Sequence, residues 1–61
     1  MHDKIYGCRS DEGDFDLFGG EDLEDVMENY KNHFPDRKLH SVYLMVWEQE
    51  NDYEWKNIYS R

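Results

Sequence analysis

Carboxylates between residues 11 and 28 are the side chains of this sequence with the greatest capacity for chemistry. The segment reads DEGDFDLFGGEDLEDVME, and nine of its eighteen residues are Asp or Glu while none is Lys or Arg. Such carboxylates can ligate a cation, complement the positive end of a helix dipole, or present a negative surface to a basic partner. The nine are Asp11, Glu12, Asp14, Asp16, Glu21, Asp22, Glu24, Asp25 and Glu28.

Calcium binding is the first of these alternatives. An EF-hand loop needs oxygen ligands at its first, third and fifth positions, a glycine at the sixth and a glutamate at the twelfth. A loop beginning at Asp14 would place Asp16 third and Gly19 sixth, but it would place Phe18 fifth and Asp25 twelfth. Because a phenyl ring cannot ligate calcium, we predict no metal site.

Histidine and cysteine residues offer no catalytic arrangement. His2, His33 and His40 lack the spacing of zinc ligands, and Cys8 is the single cysteine. A lone cysteine is more often a small buried hydrophobic residue than a nucleophile. The sequence has no G-x-S-x-G, H-E-x-x-H or phosphate-binding glycine motif. We therefore predict no catalytic residue, no cofactor and no enzymatic activity.

The charge balance restricts the class of partner. Fifteen acidic residues against seven Lys and Arg residues give a formal charge of −8, whereas binding to nucleic-acid phosphates or to an anionic membrane requires clustered cations. We expect no direct contact with nucleic acid or membrane, and a basic protein as the electrostatic complement. The single cysteine and the lack of a long apolar run favour a reduced, cytoplasmic location.

One small domain, residues 1–61, is expected from a chain of this length. Its clearest element is a helix over about 21–33, with acidic residues at its start, where they suit the helix dipole, and Pro35 beyond its end. Apolar residues recur in this region at helical spacing and predict one buried stripe. The stripe consists of Leu23, Val26, Met27, Tyr30 and Phe34.

Strands are predicted on both sides of the helix. Residues 39–49 and 53–60 are rich in β-branched and aromatic residues and predict a β-hairpin. Residues 4–8 (KIYGC) and 14–18 (DFDLF) are candidates for further strands, the first with Ile5 either inward or outward. The predicted fold class is α+β, with one amphipathic helix packed on a two- to four-stranded antiparallel sheet in βαββ or ββαββ order.

Side-chain alternation assigns the two faces of the predicted hairpin. With an odd loop at 51–53, Glu48 would pair with Lys56 and Val46 would face Ile58. A two-residue turn would instead mix aliphatic and aromatic side chains on each face. The aliphatic side chains expected to meet the helix are Val42, Leu44, Val46 and Ile58. The side chains expected on the opposite face are Tyr43, Met45, Trp47, Trp55 and Tyr59.

The opposite face has two possible environments. It is either exposed as a binding surface or covered by the N-terminal segment, with Phe15, Leu17 and Phe18 forming a second small core. A contiguous apolar area of several hundred Å² usually marks an interaction site. The sequence leaves both arrangements open.

Binding to another protein is the function that the pattern favours. The helix dipole explains the acidic residues near the helix start, but those at 11–16 precede the helix and lack a neighbouring counter-charge. In size, charge and aromatic content the chain resembles small acidic inhibitors encoded by bacteriophages, which include nuclease and glycosylase inhibitors and some anti-CRISPR proteins. The resemblance implies a DNA-mimic inhibitor or modulator that occupies the nucleic-acid-binding surface of a basic partner.

Two classes of binding protein remain as hypotheses. In the first, the partner contacts the nine carboxylates together with interleaved and neighbouring aromatic rings. Those rings are Phe15, Phe18, Tyr43, Trp47, Trp55 and Tyr59. The alternative is a structural or assembly module, such as a homodimer joined through the outer aromatic sheet face. Salt separates them, because binding through acidic residues weakens with ionic strength and a hydrophobic dimer does not.

Overall fold

A computed structural model describes residues 4–61 of the chain; His2 therefore lies outside the described residues. The elements are β1 (Lys4–Ser10), β2 (Phe15–Gly20), α1 (Leu23–His33), β3 (Leu39–Gln49) and β4 (Asp52–Ser60). All neighbouring strands are antiparallel, in the sheet order β2-β1-β3-β4. The α+β prediction is confirmed, with four strands in ββαββ order. Across residues 4–61, no helix is long and apolar enough to cross a membrane.

The helix begins at Leu23, two residues later than predicted, because Asp22 is its N-cap. The Asp22 carboxylate accepts a hydrogen bond from the Asp25 amide at 2.9 Å. In turn, the Asp25 carboxylate accepts one from the Glu21 amide at 3.2 Å. These side chains bind amides at the start of the helix, where backbone donors lack helical partners.

The core lies between α1 and the inner face of the sheet. Its buried apolar residues, none more than 2% exposed, are Tyr6, Cys8, Val26, Tyr30 and Val42. The partly buried residues around them are Phe18, Leu23, Met27, Phe34, Leu39, Leu44, Ile58 and Tyr59. The predicted helix stripe is confirmed. Val46 was expected against the helix but lies outside this core and pairs with Glu54, whereas the central strand β1 supplies two core residues.

The hairpin between β3 and β4 has a different register from the predicted one. Its turn is residues 50–51, and Asn51 has φ 69°, in the left-handed region that asparagine tolerates. A β-bulge at Glu48 adds one residue to β3, so that Trp47 pairs with Tyr53. A two-residue turn alone would place the side chains of β4 on the faces opposite to the predicted ones. The extra residue in β3 compensates for this shift, so most side chains of the hairpin lie on the faces that were predicted.

The predicted cross-strand ion pair is wrong. Glu48 lies beside Glu54 and not beside Lys56. A hydrogen bond that the neutral Glu54 carboxyl donates to Glu48, together with the charge of Glu48, raises the pKa of Glu54. The predicted pairing of Val46 with Ile58 is wrong as well, because the strands are displaced along one another. Repulsion between like charges is therefore concentrated at the hairpin end of the sheet.

A second bulge, at Ile58 of β4, moves Tyr59 to the inner face. Val42 pairs with Tyr59 and Tyr43 pairs with Asn57, which leaves Ile58 without an opposing residue. Because a bulge interrupts the alternation of side chains, both Ile58 and Tyr59 pack against the core. The prediction that Tyr59 lies on the face opposite the helix is wrong.

Candidate functional site

The sheet face opposite α1 carries the exposed large apolar side chains of residues 4–61. We call it the outer aromatic face, and its members are Ile5, Phe15, Leu17, Tyr43, Met45, Trp47, Tyr53 and Trp55. Five of these are between 43% and 59% exposed, namely Ile5, Phe15, Leu17, Trp47 and Tyr53. Tyr53 was expected in the hairpin loop but lies on this face. Tyr59 was predicted on this face but packs against the core.

Aromatic rings form a continuous row across this face. The Phe15 ring lies 6.2 Å from that of Tyr43 and 5.4 Å from that of Trp55, measured between centroids. Tyr53 lies 5.8 Å from Trp55 and 5.1 Å from Trp47. The two contacts of Trp55 are edge-to-face and the other two are tilted. Aromatic pairs at these separations contribute stability beyond the area that the rings bury. The row is therefore an ordered surface of interacting rings.

Gly7 allows the row to cross the sheet. It lies in β1, between the strand that carries Phe15 and the strand that carries Tyr43. A Cβ atom at position 7 would lie 2.2 Å from Cζ of Phe15. Only glycine leaves room for that ring to reach over β1 toward Trp55. A glycine inside a strand pattern signals such a close approach, but the sequence analysis did not use this signal.

The N-terminal segment extends the outer aromatic face and does not cover it. Phe15 and Leu17 lie side by side in β2 on that face, as their alternation predicted, and both are exposed. Phe18 points to the opposite side and packs edge-to-face on Tyr30 at 5.5 Å and on Phe34 at 6.1 Å. Within residues 4–61, the alternative of a second small core is wrong. The structure also separates Phe18 from the other predicted binding aromatics.

The charges on this face are few. Arg9 is the one charged residue that the described strand register places there. It lies beside the Tyr43 phenol, whose pKa is lowered by a hydrogen bond with Ser41 and by Arg9. The Ser41 hydroxyl donates to the Tyr43 hydroxyl at 3.4 Å. An apolar surface with a single cation is unlike the rest of this acidic chain.

Three of the four carboxylates at 11–16 are bound to cations from the C-terminal half of the chain. Asp11 forms an ion pair with Arg61. Arg37 lies 2.8 Å from Asp16 and 3.8 Å from Asp14, measured between nitrogen and oxygen. The prediction that these acidic residues lack a counter-charge is therefore wrong. Their partners are at least twenty-one residues away in sequence, and local charge patterns cannot reveal them.

The hairpin loop that carries these acidic residues is built on Ser10, which is only 3% exposed. The Ser10 hydroxyl accepts hydrogen bonds from the amides of Glu12 at 3.2 Å and Asp14 at 3.1 Å. Gly13 completes the turn with φ 98°, which favours glycine. Serine before an Asp-Glu-Gly turn is a signal for this arrangement, and the sequence analysis did not use it.

The helix carboxylates form a separate group on the α1 side of the sheet. Asp22 and Asp25 bind backbone amides at the helix start. Glu21, Glu24 and Glu28 are exposed and form no ion pair with any residue from 4 to 61. Because the aromatic rings lie on the other side of the sheet, the predicted carboxylates and aromatics do not share one surface.

The described part of the chain has no metal-binding cluster, and its one cysteine is buried. No group of three or more His, Cys, Asp or Glu side chains there could hold a metal ion. Asp14 and Asp16 of the candidate calcium loop face Arg37. Cys8 is fully buried, and desolvation, with a smaller contribution from the Asp16 charge, raises its thiol pKa to about 11. The thiol is therefore protonated at neutral pH.

Comparisons with protein-family models, with curated proteins and with solved structures found no match. The assignment of function therefore depends on the geometry of these residues. The most distinctive element of that geometry is the outer aromatic face. Residue patterns placed Tyr43, Met45, Trp47 and Trp55 on it correctly, but they did not place Arg9 or Tyr53 there. Alternation of Tyr53 with Trp55 along β4 is the signal that could have identified Tyr53.

Proposed function

We propose that the protein is a non-enzymatic, acidic binding protein that inhibits or modulates a basic, nucleic-acid-handling partner. The outer aromatic face is the contact surface in this proposal. The observation that carries it is the row of interacting rings, which includes three aromatic side chains at 44–58% exposure, Phe15, Trp47 and Tyr53. A contiguous exposed apolar surface often marks an interaction site, and Trp and Tyr are enriched among residues that dominate binding energy.

The carboxylates attract the partner in this proposal. A formal charge of −8 accelerates the approach of a basic protein and makes association dependent on salt. Glu21, Glu24 and Glu28 support this role because they have no ion pair within residues 4–61. We assign these three to long-range attraction and not to the contact surface, because they lie on the α1 side of the sheet. Asp11, Asp14 and Asp16 bind the chain's own arginines, and we assign them to the fold.

A reduced, cytoplasmic location belongs to the same proposal. Its support is Cys8, which is free and fully buried in the core. A buried thiol of this kind acts as a small hydrophobic residue and does not depend on an oxidising compartment.

Capture experiments with matched variants test the proposal. Tagged protein is incubated with host lysate at low and at high salt, and the captured proteins are identified by mass spectrometry. One variant carries Trp47→Ala and Tyr53→Ala, and the other carries Glu21→Gln, Glu24→Gln and Glu28→Gln. We expect the aromatic variant to lose a basic partner at both salt concentrations. The glutamine variant should retain that partner with a smaller dependence on salt.

The opposite pattern would contradict the assignment of the surface. If the glutamine variant lost the partner and the aromatic variant retained it, the carboxylates would be the contact surface. A third outcome is that the protein captures an acidic partner and the aromatic variant does not. This would contradict the expectation of a basic partner but would support the outer aromatic face as the contact surface. Circular dichroism of both variants establishes that each is folded before capture is compared.

A homodimer through the same face is the second candidate. The observation that favours it is the near absence of charge on the outer aromatic face, since two copies could meet there with the carboxylates of α1 on the far sides. A stable dimer of standard size buries about 800 Å² on each partner. Light scattering over a range of concentrations measures the mass. A dimer that is insensitive to salt and lost in Trp47→Ala supports this candidate, and a monomer throughout contradicts it.

A further inference from the structure

Arg9 differs from the other two arginines of this acidic chain. Arg37 is paired with carboxylates of β2 and the preceding loop, and Arg61 is paired with Asp11. Arg9 forms no ion pair with any residue between 4 and 61, although the chain contains fifteen acidic residues. Its neighbours on the outer aromatic face are aromatic rings and uncharged polar groups. A carboxylate would complement this cation, and none of the carboxylates within residues 4–61 forms an ion pair with it.

Arg9 lines a cleft whose size suits a small chemical group such as one amino-acid side chain. Arg9, Gly13, Phe15, Tyr43 and Trp55 line an open cleft of about 340 Å³, which is within the range of ligand-binding clefts. Three aromatic rings form its apolar walls. Its polar groups are Arg9 and the Tyr43 hydroxyl, which lie beside each other, and the Tyr43 hydroxyl also accepts a hydrogen bond from Ser41.

We propose that this cleft binds the C-terminal residue of a protein partner, with its terminal carboxylate on Arg9 and its apolar side chain against Phe15 and Trp55. Arginine binds carboxylates with two parallel hydrogen bonds, and capture of a terminal carboxylate is a recurring mode of peptide recognition. A C-terminal apolar residue supplies both groups from one residue. An aspartate or glutamate side chain supplies the carboxylate but leaves the aromatic walls uncovered.

This inference rests on the proposed function in one respect only, that the outer aromatic face binds protein. It adds one specific contact, between Arg9 and a terminal carboxylate, and this contact can be tested without the partner. Three probes are titrated into the ¹⁵N-labelled full chain: N-acetylphenylalanine, its primary amide, and acetyl-phenylalanyl-glutamic acid amide, whose only carboxylate is a side chain. The readout is the chemical-shift change of backbone amides and of the two tryptophan indole N–H groups.

N-acetylphenylalanine should bind about three- to tenfold more tightly than its amide, the range expected for one charged hydrogen-bonded contact at an open site. The shifts should centre on Arg9, Phe15 and Tyr43 and on the Trp55 indole, with smaller changes at Trp47. Equal affinities for the acid and the amide would overturn the inference. Tighter binding of the glutamate probe would overturn the choice of a terminal carboxylate and would identify a side-chain carboxylate as the ligand.

Matched variants separate the charge of Arg9 from general effects. Arg9→Gln should abolish the preference for the acid over the amide, and Arg9→Lys should retain part of it. Lys56→Gln removes the same charge from an exposed position of β4 outside the cleft and should leave the preference unchanged. A preference that survives in Arg9→Gln would contradict the inference. Because the probes need no partner, this result is independent of whether the capture experiment succeeds.

Discussion

The Phe15 ring lies directly over Gly7 on the neighbouring strand, where a Cβ atom at position 7 would lie 2.2 Å from Cζ and 2.9 Å from both Cε atoms of that ring. This contact links β2 to the aromatic rings of β3 and β4. Without it, Phe15 could not contact Tyr43 and Trp55 across the intervening strand. The width of the outer aromatic face therefore depends on a residue that has no side chain.

Replacing Gly7 with alanine should displace the Phe15 ring while the fold is retained. The ring is 47% exposed and has room to move outward. We expect a loss of about 1 kcal/mol of stability from the overpacked site and the broken ring contacts, with a change in Trp55 fluorescence. Gly19→Ala is the matched control, because a Cβ there would lie 3.8 Å from its nearest neighbour. Identical stability and emission for the two variants would contradict the contact.

Replacing Val26 with aspartate should unfold the domain. Val26 belongs to α1 and is fully buried in the core. An unpaired carboxylate there costs several kcal/mol, which is comparable to the roughly 3–5 kcal/mol of stability that a core of this size supplies. Thermal unfolding by circular dichroism is the measurement. Asn32→Asp adds the same charge at an exposed position of the helix and should remain folded. A cooperative melt of Val26→Asp at the original temperature would show that the core is packed differently.

Replacing Arg37 with alanine should lower stability, because several modest contacts are lost together. Its guanidinium pairs with Asp14 and Asp16 and lies 3.9 Å from the centre of the Phe34 ring. The loss should shrink at high salt, where exposed ion pairs are screened. Lys38→Ala removes a neighbouring exposed cation that has no ion pair within residues 4–61 and serves as the control in chemical denaturation. Equal losses for the two variants would argue against the ion pairs.

Stability should fall as the pH rises from about 9 to about 11. Burial raises the pKa of the Cys8 thiol from 9.0 to about 11, so the folded protein keeps a proton in this window that the unfolded chain releases. Unfolding therefore releases a proton and becomes more favourable with pH. Burial also raises the pKa values of Tyr6 and Tyr30, which adds a decline of the same sign at higher pH.

Cys8→Ala isolates the contribution of the thiol to this pH dependence. The variant should be less stable at neutral pH, because it removes a buried sulfur atom from the core, but it should lose less stability between pH 9 and 10. Denaturation measured at a series of pH values gives both quantities. Equal slopes for the two proteins would mean that the thiol is not desolvated.

Residue patterns along the chain predicted the helix and the strands, because these elements depend mainly on residues that are close together in sequence. The helix stripe at Leu23, Val26, Met27 and Tyr30 follows from helical periodicity, and alternation placed Tyr43 and Trp47 on a common face. The helix start was displaced by two residues, because Asp22 acts as a cap outside the helix. Such boundaries depend on one side-chain hydrogen bond, which periodicity does not detect.

Features that depend on contacts distant in sequence could not be predicted. The bulge at Ile58 reversed the orientation of Tyr59, and the register that brings Glu48 beside Glu54 depends on the position of the turn and on the bulge at Glu48. The ion pairs of the acidic loop require arginines from the other half of the chain. No pattern within residues 11–28 contains that information, which is why the loop carboxylates were assigned to a binding surface.

Trp47→Ala tests the central claim, that the outer aromatic face is a binding surface and not a core, when its stability and its capture of the partner are measured on the same sample. Trp47 is 58% exposed and contacts Tyr53. We expect a loss of less than about 1 kcal/mol in stability together with loss of capture. A protein that unfolds on this substitution, or one that keeps its stability and still captures the partner, would contradict it.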